Sequence, residues 1–285
     1  LKECINKMMQ HTAKKNNYKK RLNEGIGFAI GGWPGFMGPS SVICRIESDG
    51  IVRLHVGSVD ISGVNSSFVL IVAEELSVSP NQIEIISGNT LTGPYAPNSG
   101  GSQITYSLAG AVADAAKKVK ERLLNIASDY FEASNEDLQI DNGKVFVSGV
   151  PHKTISFSEL ALEAQTKQGG PGPILDQGLS SIDKNSPCFT IHMASVSVDD
   201  DTGKINLLQY IAVHDVGFAL NPALVEAQIH GGSVQGIGMG MFESLDYDQT
   251  GQLLSSSFME YAIPRADQMI NIETILVENQ SPVGP

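Results

Sequence analysis

The clearest pattern in the sequence is a run of apolar residues at helical spacing that follows a loop of small residues. The loop is PNSGGS, residues 97–102. The apolar positions after it are Ile104, Leu108, Val112, Ala115, Val119 and Leu123. Intervals of three and four residues are typical of an amphipathic helix, so the pattern predicts a long helix with one buried face.

The start of this helix admits two interpretations. The first backbone N–H groups of a helix have no partner within it, and the helix dipole adds partial positive charge there. Glycines and serines before such a helix would let a phosphate reach the free amides. The alternative is an ordinary N-cap by Ser99 or Ser102, with the glycines serving only to turn the chain. The segment alone leaves both open.

Alternation of apolar and polar residues around glycine turns predicts several strands. Asp49-Gly50 and Asn142-Gly143 are turn dipeptides that favour β-hairpins, and Asp201-Thr202-Gly203 joins two longer alternating segments. Three more helices are predicted: one from the four-residue spacing between Phe68 and Leu76, one from a capping box at 156–159, and one opened by an N-cap at Asn221. The NP dipeptide that begins the last helix is the expected N-cap and first-turn pair.

This succession of elements indicates an α+β fold with two α/β subdomains. The glycine- and proline-rich run QTKQGGPGPILDQG is the predicted boundary between them. We expect an N-terminal helix and linker over residues 1–24, a first subdomain over 25–168 and a second over 169–285.

The helix after Asn221 is unusual because it contains five glycines, each of which costs about 1 kcal/mol relative to alanine in a helix. Gln228, Gly232, Gly236 and Gly240 recur at every fourth position and therefore share one face, here called the glycine ridge. Either another helix or strand packs closely on this ridge, or a ligand approaches its backbone and contacts Gln228. The sequence pattern supports both hypotheses equally.

Composition narrows the functional classes. The chain has 285 residues, a formal net charge of -12, and no apolar run long enough for a membrane span. Its negative charge argues against nucleic-acid binding. Three scattered cysteines, Cys4, Cys44 and Cys188, suggest a reducing compartment and provide no cluster for an iron–sulfur centre. We therefore expect a cytoplasmic protein that binds neither nucleic acid nor membrane.

Three segments, 57–76, 97–116 and 221–243, resemble a known family, the molybdenum hydroxylases of the xanthine oxidase, aldehyde oxidase and carbon monoxide dehydrogenase group. The likeness extends over nearly the whole chain. It is to the C-terminal part of the molybdopterin-binding subunit, most like the bacterial forms in which that subunit is separate, nicotinate dehydrogenase among them.

The resemblance implies a cofactor, molybdopterin or its dinucleotide form with molybdenum, and residues that hold it. The matching positions are Gly100, Gly101, Ser102, Gln103 and Gln228. The family commonly has a glutamine where this chain has Ser62, and at that position a hydroxyl would replace the amide. The dithiolene of the pterin holds the molybdenum, so no residue of the chain is expected to be a metal ligand.

The resemblance also implies a reaction and partners. Such enzymes hydroxylate a nitrogen heterocycle or an aldehyde with water as the oxygen source, and electrons pass to [2Fe–2S] and FAD on partner chains. The expected partners are the N-terminal half of the molybdopterin subunit, an iron–sulfur subunit, an FAD subunit and a small-molecule substrate. The alternative function is a non-catalytic assembly module with the same fold and no cofactor.

The family's general base is a glutamate in a GxGE motif, which is expected beyond Pro285. No catalytic residue is therefore expected within residues 1–285. Glu226, Glu243 and Glu260 are the carboxylates nearest the last matched segment, and we expect each to face solvent or to bond to a neighbouring group.

Overall fold

A computed structural model describes residues 1–14 and 23–282, and within these the fold is α+β. The helices are α1 (Lys2–Lys14), α2 (Val64–Leu76), α3 (Ile104–Phe131), α4 (Phe157–Thr166) and α5 (Pro222–Met241). The strands are β1 (Glu24–Trp33), β2 (Ser40–Ile46), β3 (Val52–Val56), β4 (Ile83–Ile86), β5 (Leu138–Asp141), β6 (Lys144–Val147), β7 (Val150–Ser156), β8 (Ile174–Ser180), β9 (Cys188–Val198), β10 (Ile205–Asp215) and β11 (Ile272–Val277). None of the described helices is long and apolar enough to cross a membrane.

The chain forms two compact units whose limits differ from the expected subdomains. The central unit contains Pro34–Ser186, and the terminal unit combines Leu1–Trp33 with Pro187–Gln280. Strand β1 lies in the terminal unit because it pairs with β9, and β8 lies in the central unit because it pairs with β2. The glycine- and proline-rich run is therefore a connection inside the central unit. The linker expected before residue 24 falls on residues 15–22, outside the described part.

The central unit is built on a sheet with the strand order β4-β3-β2-β8. Strands β3 and β4 are parallel and α2 connects them, while the long helix α3 packs across β2 and β8. Contact between α3 and β8 is close, because a Cβ built on Gly178 would lie 1.9 Å from the backbone oxygen of Ala111. Strands β5, β6 and β7 form a second, three-stranded sheet.

The local predictions for the central unit are confirmed. Strands β2 and β3 pair around the Asp49-Gly50 turn, and β5 and β6 pair around Asn142-Gly143, where both residues have positive φ as a tight hairpin turn requires. Ser156 and Glu159 form the predicted reciprocal capping box of α4.

The terminal unit is built on a sheet with the strand order β1-β9-β10-β11. Helix α1 packs on one face of the sheet through Cys4 and Met8. Helix α5 packs on the other face through Ile229 and Ile237. Strands β9 and β10 form the predicted long hairpin, and β10 and β11 are parallel, so α5 lies in the connection between two parallel strands.

Candidate functional site

Two loops of the central unit leave its sheet at the same edge. Because β3 and β4 are parallel, the turn after β3 and the loop after β4 both begin at carboxyl ends of strands, the edge at which open α/β sheets place ligands. The Ser99 hydroxyl joins the two loops by donating to the backbone oxygen of Val59 at 2.9 Å. Residues 57–63 and 98–103 are called here the carboxyl-edge site.

Glycines in and before the site permit close contacts that a side chain would prevent. A Cβ on Gly57 would lie 1.9 Å from the backbone oxygen of Pro94. A Cβ on Gly101, whose φ is 69°, would lie 2.3 Å from the ring of Phe36. The backbone N–H of Phe36 donates to the oxygen of Gly101 at 3.2 Å, which holds the loop against that ring. These glycines are therefore required by the loop's own geometry, with or without a ligand.

Helix α3 begins at the site without a side-chain cap. Its N-cap residue is Gln103, and no side chain in the described residues bonds to the first-turn amides. The hypothesis of an ordinary N-cap by Ser99 or Ser102 is thus wrong. The Ser99 hydroxyl bonds to Val59, while Ser102 has a left-handed backbone with φ 59° and an exposed side chain.

The side chain of Gln103 lies within the loop. Its Nε2 donates to the backbone oxygen of Asn98 at 2.9 Å and to the Asn98 Oδ1 at 3.0 Å, and the residue is buried. The backbone N–H of Gly100 also donates to the Asn98 oxygen, at 2.8 Å. Gln103 therefore holds the shape of the loop that presents Gly100 and Gly101.

Helix α2 begins at the same edge and also lacks a side-chain cap in the described chain. Its N-cap residue is Gly63, with φ 78°, and neither α2 nor α3 has an acidic residue in its first turn. Ser62 lies immediately before this cap and is exposed. Asp60, also exposed, is the carboxylate of the turn. Two helix dipoles thus direct their positive ends toward this edge.

Buried polar atoms without partners flank the turn after β3. The hydroxyl of Ser58, a residue that is 1 % exposed, has no hydrogen-bond partner among the described residues, and the same holds for the Asn65 Oδ1. A buried polar group without a partner costs about 1–3 kcal/mol. The sequence analysis did not single out Ser58, although a hydroxyl after a glycine at the end of a strand was a usable signal.

The glycine ridge of the terminal unit is open. Gln228 is exposed, and in the described structure no heavy atom lies within 4 Å of a Cβ built on Gly232, Gly236 or Gly240. Close packing by another element within the described chain therefore does not explain these glycines. The N-terminus of α5 differs from those of α2 and α3, because the Asn221 side chain accepts a hydrogen bond from Leu224 as predicted.

Two of the three carboxylates near α5 are bonded to neighbouring side chains. Tyr261 donates its hydroxyl hydrogen to Glu243 at 2.5 Å, and the carboxylate raises the pKa of the tyrosine. Glu260 accepts a short hydrogen bond from Ser257. Glu226 is exposed. These contacts agree with structural roles for Glu243 and Glu260.

Three side chains of the terminal sheet form a hydrogen-bonded chain that the sequence analysis missed. The Nε2 atoms of His192 and His214 are 2.7 Å apart, and the His192 Nδ1 is 2.8 Å from the Tyr210 hydroxyl. Burial lowers the pKa of His192. Burial first, and then the charge that His192 would carry, lower the pKa of His214 to about 4. The two imidazoles are therefore held neutral near pH 7. The side chain of Asp215, the residue after His214, accepts a hydrogen bond from the Asn279 side chain.

Comparison with known proteins identifies relatives over nearly the whole chain. Residues 4–270 match the family model of the molybdopterin cofactor-binding domain. The carbon monoxide dehydrogenase large chain of Afipia carboxidovorans is 30% identical, over 98% of this chain and 36% of that protein. The nicotine 6-hydroxylase large subunit of Paenarthrobacter nicotinovorans is 31% identical, over 83% of this chain and 30% of that protein.

A solved structure shows the same fold. Quinoline 2-oxidoreductase from Pseudomonas putida 86 superposes with a TM-score of 0.80 and 26% identity, over 100% of this chain and 38% of that one. The chain thus spans about a third of the length of the relatives it matches.

Proposed function

The chain belongs to the molybdopterin cofactor-binding domain family, and from this premise we propose that its carboxyl-edge site holds the phosphate-bearing end of molybdopterin or of its dinucleotide form. The observation that supports this most directly is the pair of helix N-termini, on α2 and α3, that open at one sheet edge and lack side-chain caps in the described chain. Free helix amides and helix dipoles bind anions. In a chain with a net charge of -12, an anion needs such local donors.

The residues of the site fit a phosphate group. The loop that carries Gly100 and Gly101 is proposed to contact the phosphate, and the exposed hydroxyl of Ser102 adds a donor beside the start of α3. Ser58 provides a buried hydroxyl that has no partner in the described residues and that a polar ligand would satisfy. Asp60 opposes an anion, but it is exposed and its charge is screened by solvent.

Two further residues complete the proposed set of contacts. We propose separately that Gln228, in the terminal unit, makes an amide contact with a cofactor, because its side chain is exposed at the head of a ridge without side chains. We assign to Ser62 a hydroxyl contact from the turn after β3. Gln103 acts indirectly, since its amide holds the loop that carries Gly100 and Gly101.

The proposed activity is that of a molybdenum-dependent hydroxylase subunit. When bound, the cofactor would supply the two-electron oxidation of the substrate carbon, with water as the source of the oxygen. Two relatives are named for nicotine and quinoline, both nitrogen heterocycles, which favours this substrate class over aldehydes. We propose that electrons leave to [2Fe–2S] and FAD on partner chains, since three cysteines cannot supply the four thiolates of a cluster.

We propose that the general base lies in the part of the subunit that follows this chain. Glu243 accepts a hydrogen bond from Tyr261 and Glu260 accepts one from Ser257, contacts that agree with structural roles for both carboxylates. The relatives are about three times as long as this chain, and the rest of the subunit has room for such a residue.

The second candidate function is an assembly module without cofactor, and Ser62 is the observation that favours it. A serine side chain is shorter than the glutamine expected there. The corresponding contact with the cofactor therefore requires a closer approach or is lost. Molybdenum content distinguishes the two functions. About one molybdenum atom per complex, in protein purified with its partner subunits, supports the first candidate, and absence of molybdenum supports the second.

Substitution of Ser102 tests the proposed site itself. Ser102→Asp places a carboxylate at the start of α3, where it should repel a phosphate, whereas Ser102→Asn is neutral and close in size to aspartate. Both residues tolerate the left-handed backbone of this position. We expect Ser102→Asp to lower molybdenum and pterin content of the purified complex at least tenfold.

The neutral variant is the control. Ser102→Asn should retain most of the cofactor, measured by metal analysis and by the fluorescence of released, oxidised pterin. Equal cofactor content in the two variants would show that the carboxyl-edge site does not hold the phosphate.

A further inference from the structure

A six-residue segment between β1 and β2, residues 34–39, lies along the carboxyl-edge site. Its sequence is PGFMGP, and it is neither helix nor strand. The proline at each end fixes φ, which limits the conformations of the segment. The backbone N–H of Gly38 donates to the Ser107 Oγ of α3 at 3.0 Å, and a Cβ built on Gly38 would lie 3.2 Å from the side chain of Pro97. The segment is thus held against α3 and against the loop after β4.

Phe36 is the residue of this segment that contacts the site itself. Its backbone N–H donates to the oxygen of Gly101 at 3.2 Å, and a carbon of its ring lies 2.3 Å from the position of a Cβ built on Gly101. The Phe36 side chain is nevertheless 54% exposed and belongs to none of the core clusters of the described chain. Its contacts therefore bear on the conformation of Gly101 more than on the core of the central unit.

The conformation that Phe36 contacts is one that the backbone rarely adopts by itself. Gly101 and Ser102 are consecutive left-handed residues, with φ 69° and 59°, directly before the N-cap of α3. A left-handed backbone is unfavourable for serine, and such residues persist only where the surrounding structure fixes them. Gln103 constrains the loop from within, through Asn98, and Phe36 constrains it from outside.

The backbone conformation of residues 101–103 decides the direction of the N–H groups that lead into the first turn of α3. A loop that is already held in its binding conformation avoids the cost of ordering when a ligand binds. We propose that Phe36 is the positioning residue of the carboxyl-edge site. Its ring and its backbone N–H hold Gly101 in the left-handed conformation that presents the start of α3 to the phosphate of the cofactor. This role rests on the function proposed above.

Hydrogen exchange measured by mass spectrometry tests the positioning role in the cofactor-free complex. Phe36→Ala should speed the exchange of residues 98–103 about tenfold, because the loop loses its outer support. Tyr130→Ala is the matched control. Tyr130 is an aromatic residue of the same unit, is 52% exposed, and lies at the other end of α3, about 39 Å along the helix from Ile104. Its replacement should leave the loop's exchange unchanged. Circular dichroism establishes that both variants are folded.

Retention of the cofactor tests what the positioned loop does. The measured quantity is the rate at which the purified complex releases pterin during dialysis, followed by the fluorescence of the oxidised pterin. Phe36→Ala should raise this rate about tenfold. Phe36→Tyr keeps both the ring and the backbone N–H, so it should release pterin at the wild-type rate, as should Tyr130→Ala.

A double-mutant cycle separates positioning of Gly101 from direct contact between Phe36 and the cofactor. Gly101→Ala drives a Cβ into the Phe36 ring, and combination with Phe36→Ala removes that clash. If Phe36 acts through Gly101, the combined variant should release pterin no faster than Gly101→Ala alone, because the effect of the ring is already lost. Effects on the release rate that multiply would show that Phe36 acts independently of Gly101, and would overturn the proposal.

Unchanged loop exchange or unchanged pterin release in Phe36→Ala would also overturn it. These outcomes differ from a failure of the proposed function. If the site holds no phosphate, Ser102→Asp and Ser102→Asn retain equal amounts of cofactor. If only the role of Phe36 is wrong, the two Ser102 variants differ from each other while Phe36→Ala behaves like the wild type.

Discussion

The two units of the molecule bury their apolar residues differently. The central unit has one large cluster that joins both faces of α3 to the sheet, to α2 and to α4. The terminal unit divides its buried residues between two small clusters, and residues 211 and 212, adjacent on β10, belong to different ones. Successive residues of a strand point to opposite faces, so each face of this sheet has only a thin core.

Because of this difference, the central unit has the larger buried core, and the terminal unit has more apolar surface available for binding. Helix α5 fully buries only Ile229, Ser233, Ile237 and Gly238, half-buries residues such as Val225 and Val234, and exposes the glycine ridge. Strand β1 is exposed along most of its length. Large exposed apolar surface marks interaction sites. The central unit is thus expected to be stable by itself, while the terminal unit depends more on what covers it.

Matched isoleucine truncations should give the largest contrast between the units. Ile174 is fully buried in the core of the central unit, and Ile237 is 7% exposed in the small cluster under α5. We expect Ile174→Ala to destabilise the central unit by about 4 kcal/mol and Ile237→Ala to destabilise the terminal unit by about 2 kcal/mol, because a shallow site collapses more easily. Hydrogen exchange measured by mass spectrometry reports on each unit separately. Equal losses would contradict the comparison.

Acid should weaken the terminal unit before the central unit, through the chain formed by His192, His214 and Tyr210. The folded-state pKa of His214 is about 4, below the unfolded value of about 6.5. The unfolded state therefore binds protons first, and stability present above pH 6.5 is lost as the pH falls toward 4. The expected loss is about 1–3 kcal/mol.

A histidine variant separates this effect from general acid unfolding. His214→Gln removes the titrating group and should flatten the pH dependence of the terminal unit's exchange between pH 6.5 and 4. His152→Gln replaces an exposed histidine of the central unit and should leave that dependence unchanged. Identical pH profiles for wild type and His214→Gln would contradict the assignment.

The smallest expected effect is a gain in stability on the glycine ridge. A Cβ at Gly236 meets no described atom within 4 Å, so Gly236→Ala should stabilise α5 by about 1 kcal/mol. Gly238→Ala is the control, because its Cβ would lie 2.4 Å from the Glu243 Oε1 and 2.7 Å from Pro264, and it should destabilise the unit. A loss of stability in Gly236→Ala would show that the ridge is packed, which would remove the support for a ligand there.

Local features of the fold were predictable because they depend on neighbouring residues. The Asn142-Gly143 turn, the capping box at 156–159 and the Asn221 cap all follow from backbone preferences and hydrogen bonds within a few residues. Strand β1 was not predicted as a regular strand, because glycines weaken strand patterns and the ladder with β9 joins residues more than 150 positions apart. The limits of the two compact units differ from the expected subdomain boundaries for the same reason, because they follow pairings between strands far apart in the chain.

The candidate site was predictable in part. The spacing of residues 97–123 indicated a helix whose start could receive an anion, and the family resemblance named Gly100, Gly101 and Ser102. The contribution of Ser58, in the turn after β3, and the supporting role of Gln103 were not predicted from the sequence. Ser58 became a candidate only when its burial was known, and Gln103 was identified as a loop support only by its bonds to Asn98.

By itself the sequence determined the helices, the tight turns, the family and the positions at which the backbone carries no side chain. These follow from residue type and from spacing along the chain. Only the tertiary structure decided that α2 and α3 begin at one sheet edge, that His192 meets His214, and that β1 lies at an open edge. Such facts depend on which distant strands pair and in what register. A register shift of one residue would move every side chain of a strand to the opposite face of the sheet.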